Sequence, residues 1–428
     1  VGLWGLLIAT VFVWGDVLRR SGVETQDALP PLYATSRLLT WQMIPSVAFA
    51  ALVVAVLPAA VERLPWRAVP SLGWAVCVGW SMVLAASDGI DAIVKPFRSA
   101  NEYLAGLPAL RHDGPLEWVR TFTDRMQSYP VHTKGHPPLS MLFLWLLDTM
   151  GLRGATWAAI TVIVIGSSSV IAIAVTLKVL AGEARARQAV PFLALAPIAL
   201  WIATAMDALY LGVSAWSVAL LALATRRLAR GKPVTRTVLA LAAGTLLGSL
   251  PYLSYGLLPI FAVPLAVLLL TRGLTRHTAV ALVCGLLLVP VLFTAGGFWW
   301  FAGVEGTHKA YESVGGSSRR PYGYFLLGDL GVLAILVGPA VAWALPCASW
   351  RRTRDATVWP AGAAMIGMLA LDLSGVTKGE VERIWIPYAA WLLPIATLAV
   401  TGRRTMRGLL VMQAITAVAV QALVMSAW

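Results

Sequence analysis

The feature that most constrains this chain is a series of apolar runs too long for the core of a soluble domain. Leu39–Val61, Ala155–Ala181 and Gly323–Leu345 are examples. Each is long enough to cross ~30 Å of hydrocarbon, which takes about 20 apolar residues. Inside lipid every backbone amide needs an internal partner, so such a run is either a helix or part of a closed barrel. The ten-residue alternation of barrel strands is absent, which leaves helices. The expected fold is therefore an all-α polytopic membrane protein, 1–428 forming one transmembrane domain. Composition agrees: 59% of residues are hydrophobic and 12% charged, with mean hydropathy +0.77. A soluble domain carries about 25% charged residues.

Thirteen crossings are expected, within a range of about 11 to 14, at 1–15, 39–61, 71–87, 155–181, 188–205, 208–225, 237–252, 256–271, 278–296, 323–347, 357–375, 385–401 and 408–427. The net charge of +13 would suit nucleic acid, but the basic residues sit in short loops between apolar runs. That pattern reads as orientation by positive charge, with contact to anionic lipid, and not as nucleic-acid binding. The clusters are Arg63 and Arg67; Lys178, Arg185 and Arg187; Arg226, Arg227, Arg230, Lys232 and Arg236; Arg272 and Arg276; Arg351, Arg352 and Arg354; and Arg403, Arg404 and Arg407. They fall on one side, which the positive-inside rule makes cytoplasmic in a plasma membrane. Arg19 and Arg20 are the misfit, landing outside.

The alternation requires Leu139–Met150 not to cross. It is short, opens at Pro137-Pro138 and contains Asp148, so an interfacial helix is expected there. Cys77, Cys284 and Cys347 are scattered through apolar segments and read as core fillers. After Val1 there is neither a basic stretch nor a small-residue cleavage site, so no signal peptide is expected. No inverted repeat of the transporter kind is visible.

Three longer segments face outward: Asp16–Arg37, Asp88–Gly154 and Gly297–Tyr322. Loops of this length in a compact protein are usually functional or disordered. The second is rich in Tyr, Trp, Pro and His, so it is expected to fold, with interfacial helices. It carries Asp88 and Asp91 where the third crossing leaves the membrane, and Glu102 beyond them. Their i, i+3 spacing would put Asp88 and Asp91 on one helical face. A carboxylate there is partly desolvated and becomes a better base. Asp88 has a second reading as a helix cap before Gly89. Glu117, Arg120 and Asp124 read as a solvated helix face.

His132-x-x-Gly135-His136-Pro137-Pro138 is the most specific short motif. Its two imidazoles flank Lys134, a set suited to a phosphate or to sugar hydroxyls, or to anchoring at headgroups. A metal site is weakly indicated, because His-x3-His ligates from a helix and the glycine opposes one. Further along, Asp207 lies between two apolar runs, where capping is the commoner role. Asp372 lies inside another run and needs a partner, with Lys378 or Arg383 as candidates. Lys378, Glu380, Glu382 and Arg383 crowd the start of a membrane-like stretch, and Arg383 suits a lipid phosphate. Gly297–Tyr322 adds Lys309, Arg319 and Arg320, with Gly315-Gly316-Ser317-Ser318 in the middle. Phe298, Trp299, Trp300 and Phe301 form either an interfacial belt or a platform for sugar or prenyl chain. Tyr252 and Tyr255 lie at another outer turn.

A large acidic outer loop followed by His136-Pro137-Pro138-Leu139 resembles the GT-C superfamily of membrane glycosyltransferases, as in protein O-mannosyltransferases and lipid A aminoarabinose transferases. Asn101-Glu102-Tyr103-Leu104, Gly297-Phe298-Trp299-Trp300, Arg320-Pro321-Tyr322 and Lys378-Gly379-Glu380-Val381-Glu382-Arg383-Ile384-Trp385 resemble segments of actinobacterial members. The similarity runs from about Ser81 to Val400. The acidic loop here follows the third crossing, whereas the superfamily places it after the first.

The resemblance implies a monosaccharide transferase, hexosyl or pentosyl (mannosyl- or arabinofuranosyltransferase, for example). Its donor would be a polyprenyl-phosphate sugar and its acceptor an envelope glycan or glycolipid, on the outer face of the plasma membrane. It implies inversion, with Asp91 or Glu102, then Asp88, as the base. His132, Lys134, His136, Lys309, Arg319, Arg320, Lys378, Glu380 and Arg383 would form the donor and phosphate site. Tyr103, Asp207, Tyr252, Tyr255, Trp299, Trp300, Tyr322 and Asp372 would line the substrate cavity. No cofactor is required; a divalent metal is compatible with the chemistry but not indicated. The alternative is a transporter or flippase of polyprenyl-linked glycans, and a scaffold for an envelope complex ranks third.

Overall fold

The structure, a computed structural model, describes residues 1–25, 28–38, 41–226, 233–314, 317–348 and 355–426. Arg227, Arg230, Lys232, Gly315, Gly316, Arg351, Arg352 and Arg354 of the sequence reading lie outside the described residues. Among the described residues the regular elements are helices and two three-residue strands, β1 (Ala34–Ser36) and β2 (Val424–Ser426), which pair antiparallel.

Among the described residues, nine helices are long and apolar enough to cross a membrane: Gly2–Arg20, Trp41–Arg63, Ala68–Asp88, Gly154–Ala181, Asp207–Thr225, Pro233–Leu253, Arg276–Ala295, Tyr322–Ala348 and Arg403–Leu423. The other four expected crossings are not long straight helices. Tyr255–Thr271, Val358–Leu373 and Ile386–Ala399 are shorter apolar helices. The stretch 188–205 is broken: the helix Glu183–Ala194 ends, Pro197 follows, and only the turn Ala199–Ile202 is helical before Asp207. Proline cannot continue the ladder, and irregular backbone survives at membrane depth only where protein buries it or it lines a cavity. Leu139–Thr149 is a helix of 11 residues, too short to cross, as expected for an interfacial element.

Outward faces of these helices are apolar. On Arg276–Ala295, Val280, Val283, Leu287, Leu288, Val291 and Leu292 are all exposed, which suits lipid and not water. Cys284 is exposed on the same helix and fills no core; Cys77 does. Helices in lipid gain little from apolar burial, so close backbone approach matters more. Pro233–Leu253 supplies it with Gly244 and Gly248, and Arg276–Ala295 with Gly285. A methyl group at any of the three would collide with the facing helix backbone.

One buried polar side chain repairs a break. Tyr322–Ala344 kinks at Gly338-Pro339, where Gly338 has φ +72°. Gln413 of Arg403–Leu423 donates from Nε2 to the Val337 carbonyl at 2.8 Å and accepts the Ala340 N–H at 3.2 Å. Both backbone groups freed by the kink are thereby satisfied.

Contacts sort the loops to two ends. At one end Arg187 donates to the carbonyls of Val61 and Leu64, Arg403 pairs with Glu62, and Arg185 pairs with Asp355. Arg236 donates to Ala224 and Gly273 carbonyls at the far end of the helix that Asp207 begins. At the opposite end Arg37 meets Asp88 and the Gln421 carbonyl. Arg19 and Arg20, the misfits, both pair with Asp16 at 2.8 and 2.7 Å, which offsets their charge.

Candidate functional site

The end opposite the basic loops holds two adjoining cavities. After Ala85 the third long helix breaks into short 3₁₀ turns, Ala86–Asp88, Ile90–Ile93 and Pro96–Arg98, separated at Gly89 with φ +97°. Asp88 and Asp91 therefore do not share a helical face. Asp88 caps nothing: its carboxylate takes Arg37 and the Gln421 amide. Asp91 is exposed and lies 3.8 Å from Arg98. Both aspartates line a cavity of about 900 Å³ with Lys95, Arg98, Trp201 and Gln421.

Glu102 sits differently. It is extended, just before the turn Tyr103–Gly106, and its neighbour Asn101 accepts the His132 backbone N–H at 2.9 Å. That bond fastens the acidic segment to the turn Val131–Lys134. Glu102 lines a narrow cavity with Tyr103, His132, Thr204, Asp207 and Arg383. Pro96 lines both cavities, and Ala203 of the wide one precedes Thr204 of the narrow one.

Arg383, on the turn Val381–Ile384, is buried and bracketed by carboxylates, Asp207 at 3.1 Å and Glu380 at 2.6 Å. Asp207 is thus an ion-pair partner at the head of its helix, with no capping hydrogen bond. Arg320 is buried, 3.5 Å from Glu380, and donates to the Lys378 carbonyl at 2.7 Å. Lys378 donates to the Ser318 carbonyl at 2.7 Å. Neither Lys378 nor Arg383 bonds Asp372, whose two buried carboxylate oxygens have no hydrogen-bond partner among the described residues.

The imidazoles pack around Tyr103. His132 Nε2 is 3.4 Å from Glu102 Oε1, and His136 Nδ1 is 3.0 Å from the His132 carbonyl. Tyr103 rests against both rings, and its hydroxyl meets Tyr210 at 3.0 Å. Tyr210 continues to Ser140 at 2.7 Å. Burial pushes the Glu102 carboxyl up to about 7, with Arg383 pulling the other way and Asp207 adding to the rise. Burial also lowers both His132 and His136, so both imidazoles are neutral near pH 7. Glu380, by contrast, is held below the usual carboxylate range: burial would raise it, but Arg383 and Arg320 outweigh that.

No family model matches this chain, and no curated protein or solved structure does either. What it can do is therefore argued from its own geometry.

The structure brings together Glu102, Tyr103, His132, His136, Asp207, Glu380 and Arg383, with Arg320 and Lys378 behind them. It leaves others outside. Lys309 is exposed and paired with Glu305 at 2.6 Å, and Arg319 is exposed, 3.7 Å from Glu24. Trp299 is exposed; Trp300 donates to the Pro251 carbonyl at 2.8 Å and meets Tyr255 edge-on. Tyr252 stacks on Phe293, and Tyr322 donates to the Leu373 carbonyl. The Lys134 carbonyl accepts from Thr307.

Three members were missed. Tyr210 and Ser140 are uncharged and sit inside apolar helices, so nothing in the pattern marks them. Asp329 was detectable, being the one charged residue of the run Gly323–Leu345. It is fully buried and accepts the Gly379 N–H at 3.1 Å, pinning the turn that presents Glu380 and Arg383.

Proposed function

We propose that the protein is a membrane glycosyltransferase that moves a monosaccharide from a polyprenyl-phosphate donor to an envelope glycan or glycolipid. The observation that carries this reading is Glu102. It is a carboxyl group held near neutrality in a cavity that also contains a guanidinium, Arg383. A general base works best with a pKa near the working pH. In the reaction, the acceptor hydroxyl oxygen attacks the anomeric carbon and its proton passes to the Glu102 carboxylate. The bond from that carbon to the phosphate oxygen breaks on the opposite face, and the lipid phosphate leaves with the electron pair. The configuration inverts. The donor phosphate lies beside Arg383, where it competes with Glu380 for the guanidinium fork. Tyr103 and the neutral His132 and His136 provide hydrogen-bond donors and acceptors for sugar hydroxyls.

The reading places this end of the molecule on the outer face of a plasma membrane, because the basic loops gather at the other end. A cysteine introduced at Ser128 should react with an impermeant maleimide on intact cells, and one at Thr235 only after permeabilisation. Labelling of Thr235 from outside overturns the orientation. The test of activity incubates the purified protein with a panel of polyprenyl-phosphate sugars and a membrane-glycan acceptor. Release of free polyprenyl phosphate with sugar transfer is expected. Movement of the lipid across a bilayer without transfer would instead make the protein a flippase.

A further inference from the structure

The end of the molecule away from both cavities carries positive charge that its own carboxylates do not balance. Arg187 donates to the Val61 and Leu64 carbonyls at 2.7 and 2.8 Å, which brings the helix Glu183–Ala194 against the last turn of Trp41–Arg63. Arg403 pairs with Glu62, and Arg407 donates to the Ala55 carbonyl, which brings the start of Arg403–Leu423 to the same helix. Lys178 lies 4.4 Å from the centre of the Trp66 ring, and Glu183 takes both Lys178 and Arg187. Arg63, Arg67 and Arg404 remain. All three are exposed, and among the described residues none has an ion pair or a side-chain hydrogen bond. Seven basic side chains thus meet two acidic ones, Glu62 and Glu183, in one corner.

The helices themselves do not call for these charges. Arg67 precedes the helix that starts at Ala68, and Arg403 and Arg404 open Arg403–Leu423. A helix macrodipole favours acids at its start, and neither first turn contains one. Orientation across a membrane asks for basic loops but not for their convergence. Like charges gathered in one corner repel, and an anion among them offsets that cost.

The faces that carry the unpaired arginines point to the kind of anion. Leu52, Val56 and Arg63 stand at i, i+4 and i+11, and all three are exposed, so they share one outward stripe of their helix. Arg404, Val411 and Ile415, at i, i+7 and i+11, form the matching exposed stripe of Arg403–Leu423. Each stripe is apolar along its length and ends in a guanidinium. The apolar part suits hydrocarbon, which puts the guanidiniums at the level of the lipid headgroups, with Trp66 beside them as an interfacial aromatic. The anion available at that level is a lipid phosphate, which a guanidinium fork grips with two hydrogen bonds.

We propose that this corner is a binding site for an anionic phospholipid headgroup, held by Arg63, Arg67 and Arg404. The site lies at the opposite end from Glu102 and does not rest on the transferase reading.

The test is native mass spectrometry of the full chain in dodecyl maltoside, titrated with palmitoyl-oleoyl phosphatidylglycerol or the matching phosphatidylcholine. The parent should prefer phosphatidylglycerol by about tenfold or more. Arg63→Gln, Arg67→Gln and Arg404→Gln should each weaken its binding about fivefold, and the three together on the order of a hundredfold. A second triple variant, Arg20→Gln with Lys309→Gln and Arg319→Gln, removes the same charge from the other end. It should leave the affinity within about twofold, since distant charges are screened. Melting and size exclusion check every variant, and the three single variants decide the matter if the first triple does not fold. Equal affinity of the parent for the two lipids overturns the proposal, as does an equal loss in both triples. Displacement of the bound lipid by inorganic phosphate or by polyglutamate, at constant ionic strength, overturns it too. The ligand would then be a free phosphate or an acidic protein.

Discussion

The two cavities at this end of the molecule share Pro96 and hold the three carboxylates expected as candidates for the base, yet they treat them in opposite ways. In the wide cavity Asp91 is exposed and Asp88 is bound to Arg37 and Gln421. In the narrow cavity Glu102 is largely enclosed next to neutral imidazoles, and desolvation lifts it to about 7. The same functional group is a surface charge in one place and a desolvated carboxyl in the other. What separates them is desolvation, a property of the surroundings and not of the residue.

The sharpest way to break this contrast is to neutralise each carboxylate in turn. Glu102→Gln should lower sugar transfer by about 10²–10⁴-fold with donor binding intact, since only the proton acceptor is lost. Asp91→Asn should stay within about threefold of the parent, because an exposed charge has weak coupling to the reacting atoms. Separate measurement of donor affinity and turnover decides it. Equal losses would mean that the base lies in the wide cavity.

Arg383 tests the buried side in another way. Removing its side chain leaves Asp207 and Glu380 facing each other in the interior, and losing one partner of such a set costs about 3–5 kcal/mol. Arg383→Ala should therefore lower thermal stability in detergent as well as donor affinity. Arg383→Lys, which keeps the charge but not the fork, should retain more stability than affinity. Arg98→Ala in the wide cavity should change the melting temperature little. A stable Arg383→Ala protein would show that the pair is not structurally needed.

The pH profile sharpens the same point. In the proposed reaction Glu102 accepts the proton only when ionised, and its folded value is raised. Transfer should therefore climb about tenfold per pH unit below about 7 and level off above it. In Glu102→Gln the residual rate should lack that limb. A parent profile still flat down to pH 5 would assign the base to a carboxylate other than Glu102.

The smallest expected effect concerns the histidines. His136→Ala removes a part-buried ring bonded to the His132 carbonyl and packed on Tyr103, a loss of about 1–3 kcal/mol. His112→Ala removes an exposed ring beside Asp113, worth under about 0.5 kcal/mol. Chemical denaturation would compare them, and similar values would mean that the His136 packing adds nothing.

Much of the fold was legible because hydrocarbon imposes a simple rule. Nine of the long apolar runs became long helices, and Arg185, Arg187 and Arg403 gather at one end of them. The stretch 188–205 shows the limit. Its composition is that of a crossing, but Pro197 and the packing around it produce buried irregular backbone, which then lines both cavities. Gln413 is a similar case: a lone amide in an apolar helix has meaning only once the kink at Gly338 is beside it.

The site divides in the same way. By itself the sequence determined which chemistry was available: an acidic loop, a His-Pro-Pro entry to an interfacial helix, and a charged cluster at Lys378–Arg383. Those are local patterns, set by residue type and spacing. Only the tertiary structure decided that Glu102 and not Asp91 is desolvated, and that Arg383 meets Asp207 from 176 residues away. It alone paired Ala34–Ser36 with Val424–Ser426 beside a cavity. Burial and long-range pairing depend on which helices pack together, and no window of sequence contains that information.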